Sequence, residues 1–323
     1  MSAPITIADV RAARERLAPH LAATPLRQYP QLDAAFPGLS LLVKHENVQP
    51  TGSFKVRNGL ATVTALGAAE RAAGIVGAST GNHGLGLAFA GRQLGVPVTI
   101  CVPLGNNPEK NAALRAWGAL VVEGGADYDE AVAVAQGLVE SEGRTLAHST
   151  NNPHVLSGAG TMSLELLEQA PRLDTLIIAI GGGSQAVGAI TVARALRPGL
   201  RVIGVQAAGA SAAHDGWHAG APRRTERAAT FAEGVATRST YELTFPTLLE
   251  GLAGFITVTD TEIADAVRLI LSSTHHLVEG AGAMGVAAAR KLAPELQGQT
   301  VGVIFCGANM DSAVLRRILN REM

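Results

Sequence analysis

The 323-residue chain holds only two cysteines, Cys101 and Cys306, which lie far apart and form no C-x-x-C pair. A zinc ribbon and a disulfide framework are therefore excluded. Aromatic residues are scarce at 4% and charged residues at 16%, so the core must be built from Ala, Val, Leu, Ile and Gly, an α/β composition. No apolar run approaches the roughly eighteen uncharged residues of a membrane span, and the opening MSAPITIADVRAARERL has no signal-peptide apolar core. A net charge of −1 gives no reason to expect nucleic acid or an anionic membrane as partner. These absences lead to the expectation of a soluble cytoplasmic protein that binds small molecules, and the length predicts two domains.

Short apolar runs bounded by Gly, Pro or Ser recur at Leu41 to Val43, Ile75 to Gly77, Val98 to Val102, Leu120 to Val122, Leu176 to Ile180, Val202 to Val205 and Val301 to Phe305. They read as buried strands. Ala- and Leu-rich segments of helical length alternate with them, at Leu85 to Leu94, Glu130 to Val139, Val187 to Leu196 and Ile263 to Leu271, which predicts parallel sheets covered on both faces. Asp127 with Glu130, and Thr259 with Glu262, have the spacing of capping boxes. The stretch His214 to Ala229, HDGWHAGAPRRTERAA, reads as an irregular surface excursion.

Ligands of open α/β sheets bind beyond the carboxyl ends of strands, so the loops that follow the predicted strands carry the chemistry. Gly181-Gly182-Gly183-Ser184 precedes a helix. Consecutive glycines let backbone amides converge on an anion, and the helix N-terminus adds its positive end, which suits a phosphate. A dinucleotide reading fares worse: Ala186 stands where a third Gly is wanted, and the amide Gln206, not an acid, follows the next strand. A purely structural glycine turn stays open. Ser79-Thr80-Gly81-Asn82-His83 also opens a helix, and its hydroxyl, amide and backbone donors suit a carboxylate that must be oriented; an ordinary N-cap is the alternative. The third element is Thr51-Gly52-Ser53-Phe54-Lys55-Val56-Arg57. A lysine partly desolvated by Phe54 has a lowered pKa and an amine free to attack a carbonyl, whereas a solvated lysine does nothing.

Together, a Schiff-base lysine, a phosphate nest and a carboxylate loop are the attachments that a phosphorylated aldehyde cofactor carrying an amino acid requires. At these residues the chain resembles the fold type II pyridoxal phosphate enzymes, and within them the serine/threonine dehydratases (threonine ammonia-lyases) and serine racemases. The resemblance covers nearly the whole chain. It implies two open-sheet α/β domains of the tryptophan synthase beta-like type with pyridoxal 5′-phosphate in the cleft between them. Residues 1–70 and 150–323 would form a large cofactor-binding domain, and 71–149 a small mobile domain carrying the carboxylate loop.

The same resemblance implies Lys55 as Schiff-base residue and as the base at the substrate Cα. Phe54 would join it in the cofactor site. It also implies Asn82 at the cofactor ring hydroxyl, Gly181, Gly182, Gly183 and Ser184 at the phosphate, and Cys306, in the family's tail ending Gly307-Ala308-Asn309, beside the pyridine nitrogen. Ser79, Thr80, Gly81, Asn82 and His83 would hold the substrate carboxylate. Glu279, in a segment similar to E-x-x-G-A, would lie beside the ring. A neutral thiol would not keep the pyridine nitrogen protonated, which favours prompt loss of a β-leaving group. The implied activity is β-elimination of a hydroxy amino acid such as L-threonine or L-serine to a 2-oxo acid and ammonia. Alternatives are a racemase, for which Thr80 stands where a Ser acid/base is wanted, a lyase for a bulkier β-substituted amino acid, and a noncatalytic binder of a phosphorylated ligand.

Phe54, Val56 and His83 depart from the cysteine-synthase pattern. Several relatives bind a divalent cation through a Glu where this chain has Gln206, so no metal is expected there. None is expected at His214, Asp215 and His218, read as solvated surface, or at His275 and His276, read as a solvated helix end. No C-terminal regulatory domain is expected, and the assembly implied is a homodimer.

Overall fold

Helices cover the apolar runs from both faces, which is why those runs become strands. A computed structural model describes residues 3–323. Within them the strands are β1 (Leu26–Gln28), β2 (Ser40–His45), β3 (Ile75–Ala78), β4 (Val98–Val102), β5 (Leu120–Glu123), β6 (Thr145–Leu146), β7 (Thr175–Ala179), β8 (Arg201–Ala207), β9 (Gly254–Val258) and β10 (Thr300–Phe305). One sheet has the order β1-β2-β10-β7-β8-β9 and the other β5-β4-β3-β6. All neighbours run parallel except β1 against β2.

Each sheet has its own core. Leu41, Val43, Ile177, Val205, Val303 and Phe305 are buried in the larger sheet's core. Ile75, Ile100, Leu87 and Leu114 gather on the smaller sheet, joined by Ala13 and Leu17 from the helix Ile7–Leu17 and by Val56, Leu60 and Val63 from the helix Lys55–Thr64. That second helix meets the helix Asn82–Leu94 backbone to backbone. A Cβ on Gly59 would fall 2.1 Å from the Gly86 carbonyl oxygen, and one on Gly86 would fall 2.3 Å from the Lys55 carbonyl oxygen. Only glycines permit this approach, and it brings the Lys55 turn alongside the start of the Asn82 helix.

Several expectations are corrected. Strand β5 is not buried: it lies at a sheet edge, with Leu120 59% exposed. The strands β1, β6 and β9 escaped the sequence reading because two or three residues, or an edge strand mixing Gly and Thr, leave no apolar run. Thr259 and Glu262 form the full capping box. At Asp127 only half forms, since Glu130 Oε2 accepts from Ala126 N instead of from Asp127 N. The stretch from His214 starts inside the helix Ala212–Ala219, and only the residues beyond that helix are irregular. His276 is half-buried with its ring 4.5 Å from that of His45, while His275, which ends the helix Asp260–Thr274 at φ +58°, is exposed.

Candidate active site

Three loops start directly at carboxyl ends of strands. Ser79 follows β3, Gly181 follows β7 with only Ile180 between, and Cys306 follows β10. Lys55 lies ten residues beyond the end of β2 and begins a helix. Backbone pairing ties these segments: Phe54 N donates to the Cys306 carbonyl (3.0 Å), Ala308 N to the Gly52 carbonyl (2.8 Å) and Glu279 N to the Gly307 carbonyl (2.9 Å). The side-chain web continues the same path. Asn309 Nδ2 donates to the Thr51 carbonyl (2.8 Å) and to Asn82 Oδ1 (2.6 Å), and Asn82 Nδ2 donates to both Glu279 oxygens (2.8 and 3.1 Å). Asn309 thus joins the lysine turn, the carboxylate loop and Glu279. Its position in the G-x-N tail was its only sequence signal.

Burial sets the charges. It pushes the Lys55 amine down to about 8, against the upward pull of Cys306 and Glu279, and the amine lies 5.1 Å from the Phe54 ring centroid. The Cys306 thiol is pushed far above its ordinary value, so it stays neutral, with the Gln185 side chain against it. Burial also raises Glu279 to about 7, opposed by the Asn82 hydrogen bond. His83 is driven down to about 3, by burial and then by the Lys55 charge. Its Nε2 lies 2.9 Å from the Ala147 carbonyl and must carry the proton, since a carbonyl only accepts. The His83 ring is thereby turned into the smaller lobe, leaving only its backbone amide for a ligand.

Ser79 Oγ is likewise engaged locally, accepting from Gly81 N (3.2 Å) and Gly84 N (3.0 Å). The first amides of the following helix lack intrahelical partners, so Thr80, Gly81, Asn82 and His83 present backbone more than side chain. At the glycine loop Gly183 has φ +94° and caps the helix Ser184–Leu196, a conformation that side chains resist. A Cβ on Gly182 would fall 2.2 Å from Thr150 Oγ1, so the loop sits tight against the segment after β6.

These residues fit pyridoxal phosphate. The amine has a pKa that leaves it reactive, the amide nest at a helix N-terminus suits a phosphate, and Cys306 is an uncharged neighbour for a ring. Thr51 Oγ1 and Ser53 Oγ in the Lys55 turn, and Gln185 Oε1 on the helix after the glycine loop, are buried without partners.

Beneath Lys55 lies a buried charge network that the sequence reading missed. Arg57 donates to Glu46 through Nε (2.8 Å) and Nη2 (2.9 Å), and to Glu165 through Nη1 (2.7 Å) and Nη2 (2.8 Å). Lys44 Nζ adds a 3.0 Å bond to Glu165. Across the cleft, Lys110 pairs with Glu233 and Asp311, and Arg238 with Asp129. No group of three His, Cys, Asp or Glu side chains able to hold a metal occurs among the described residues. His214 bonds Asp215, His218 lies 3.0 Å from the Phe255 carbonyl, and Gln206 Oε1 accepts from His214 N. Among the described residues no helix is long and apolar enough to cross a membrane.

Comparison with known proteins points to the same cofactor. Residues 17–307 match the family model described as "Pyridoxal-phosphate dependent enzyme". The chain is 34% identical to an L-threonine ammonia-lyase of Thermotoga maritima, covering 99% of this chain and 79% of that protein. It is 36% identical to an L-threo-3-hydroxyaspartate ammonia-lyase of a Pseudomonas species, covering 94% and 95%. Among solved structures, a threonine deaminase from T.th. superposes with TM-score 0.90 at 36% identity, covering 95% of this chain and 99% of that one. Maize serine racemase superposes with TM-score 0.92 at 29% identity, covering 99% and 98%.

Proposed function

The chain belongs to the pyridoxal-phosphate dependent enzymes, and from that premise we propose that it eliminates water from a hydroxy amino acid such as L-threonine or L-serine, the released enamine then taking up water to give a 2-oxo acid and ammonia. The observation that carries this reading is a buried amine of lowered pKa, Lys55, set between an amide nest for a phosphate and an amide nest for a carboxylate. Pyridoxal phosphate, when bound, draws electrons from the substrate Cα and so acidifies its proton. Lys55 would hold the cofactor, and its amine would serve as the base that takes the Cα proton, because burial lowers it to about 8 and so leaves far more of it unprotonated near neutral pH than of an ordinary lysine.

Backbone amides from Gly181 to Ser184 would hold the phosphate, and those of Thr80, Asn82 and His83 would orient the carboxylate, the Gly81 amide being already bound to Ser79 Oγ. Cys306 stays neutral and supplies no full proton, which favours early departure of the β-substituent. Asn82 and Glu279 form one hydrogen-bonded unit that would lie beside the cofactor ring. Racemisation needs a second proton carrier opposite Lys55, and the threonine at position 80 is a crowded, weakly acidic one. We further assign closure of a smaller lobe, residues 71–149, over the larger one. Lys110 with Glu233 and Asp311, and Arg238 with Asp129, support this, since each pair spans the cleft. Exclusion of water from the site would result. The assembly assigned is a cytoplasmic homodimer, checked by light scattering.

The test is direct: purified protein loaded with pyridoxal phosphate is given L-threonine and L-serine, and 2-oxo acid, ammonia and enantiomer ratio are measured together. Equal yields of 2-oxo acid and ammonia, abolished in Lys55→Ala, are expected. Inversion of configuration without ammonia would replace the lyase reading with the racemase one.

A further inference from the structure

We propose that His148 is a specificity-determining residue of this site, its Nε2–H donating a hydrogen bond to the oxygen on the substrate's β-carbon. The inference rests on the elimination reading and deepens it. His148 lies in the loop after β6. Its Nδ1 accepts from the backbone amides of Thr150 (2.9 Å) and Asn151 (2.8 Å). Two donors aimed at one nitrogen leave no room for a proton there, so the proton sits on Nε2 and the ring is a neutral donor of settled tautomer. Burial and the Lys55 charge lower the pKa of the ring, in the same direction.

Among the described residues Nε2 has no hydrogen-bond partner, although the ring is half-buried and stands edge-on to Tyr241, with centroids 6.1 Å apart. Nδ1 faces the loop's own backbone, so Nε2 faces away from it. The surroundings place that direction in the cleft. Thr150 leans on the phosphate loop, where a Cβ on Gly182 would meet it at 2.2 Å. The Lys55 charge bears on His148, as it does on His83. The segment 148–150 is therefore close to both Lys55 and the phosphate nest, and the proposal places the substituent on the substrate Cα beside it.

A neutral N–H there favours a β-oxygen and is left unpaired by an apolar side chain, the arrangement that discriminates most strongly. His148 gives up no proton, because a neutral imidazole is far too weak an acid. It holds and polarises the C–O bond, and the proton that the departing oxygen needs to leave as water would be the one Lys55 has taken from Cα. The ligand class is thus an amino acid bearing a hydroxyl on its β-carbon.

Two variants test this. His148→Asn places an amide oxygen near the Nδ1 position, keeping the acceptor for the loop amides while removing the donor at Nε2. His148→Gln reaches the Nε2 position with an N–H. Each is assayed on L-serine and on β-chloro-L-alanine, whose chloride leaves without help from a hydrogen-bond donor. The Asn variant is expected to lose about 10- to 100-fold in kcat/KM on serine and to keep its rate on chloroalanine within about threefold, with the Gln variant regaining part of the serine rate. The ratio between substrates is independent of the folded fraction. Equal losses on both substrates, no loss on serine, or a Gln variant no better than Asn would overturn the assignment. If the unaltered enzyme forms 2-oxo acid from neither compound, the elimination reading fails instead.

Discussion

The reactivity of Lys55 can be titrated without any substrate. Burial lowers its amine from 10.5 to about 8. At pH 7 about one such amine in ten is unprotonated, against about one in three thousand for an ordinary lysine. Cofactor-free protein mixed with pyridoxal phosphate should therefore show, by stopped-flow absorbance, a linkage rate that climbs with pH and levels off near 8. Glu279 sharpens the test. Its carboxyl sits near 7, so above neutrality it is ionised and holds the Lys55 amine up. Glu279→Gln removes that charge, and the inflection should move below 8. An inflection that stays near the ordinary lysine value of 10.5, or one that moves upward in Glu279→Gln, would refute the account of a buried amine supported by one carboxylate.

Other outcomes are expected from the same geometry. Arg57→Met strands Glu46 and Glu165 on Lys44 alone, and breaking a buried ion pair costs about 3–5 kcal/mol. The denaturation midpoint should fall accordingly, and Glu46→Gln added to Arg57→Met should recover part of the loss. Because Glu279 is raised above the ordinary 4.5, ionising it costs the folded state stability as pH rises from there through about 7. Glu279→Gln should flatten that part of a stability-against-pH curve, measured by denaturant titration. Gly183→Ala forces a side chain into φ +94°, a strain of about 1–3 kcal/mol, and should weaken retention of pyridoxal phosphate on dialysis. Lys110→Met removes a partly exposed latch worth about 1 kcal/mol or less. KM should rise by about two- to fivefold with kcat and cofactor absorbance kept, and a changed absorbance would place Lys110 in the cofactor site instead.

The local signals were legible where chemistry requires particular residues in sequence. Gly181 to Gly183, the Lys55 turn and the S-x-G-N-H loop each need small or polar residues in a row, because amide groups must converge on an anion and a backbone must pass close. The alternation of apolar runs with helical segments likewise disclosed a covered parallel sheet. What tertiary structure alone decided is which distant groups meet. Asn309 joins Thr51 to Asn82, and Arg57 joins Glu46 to Glu165. Neither set of partners leaves a periodicity, since hydrogen bonds between segments far apart in the chain are fixed by packing and not by spacing along it. The same holds for His83, whose place in the loop pointed to the ligand while burial turned its ring to Ala147. Lys55 shows both halves of the division: its surroundings in sequence marked it out, but its lowered pKa comes from the burial that folding alone provides.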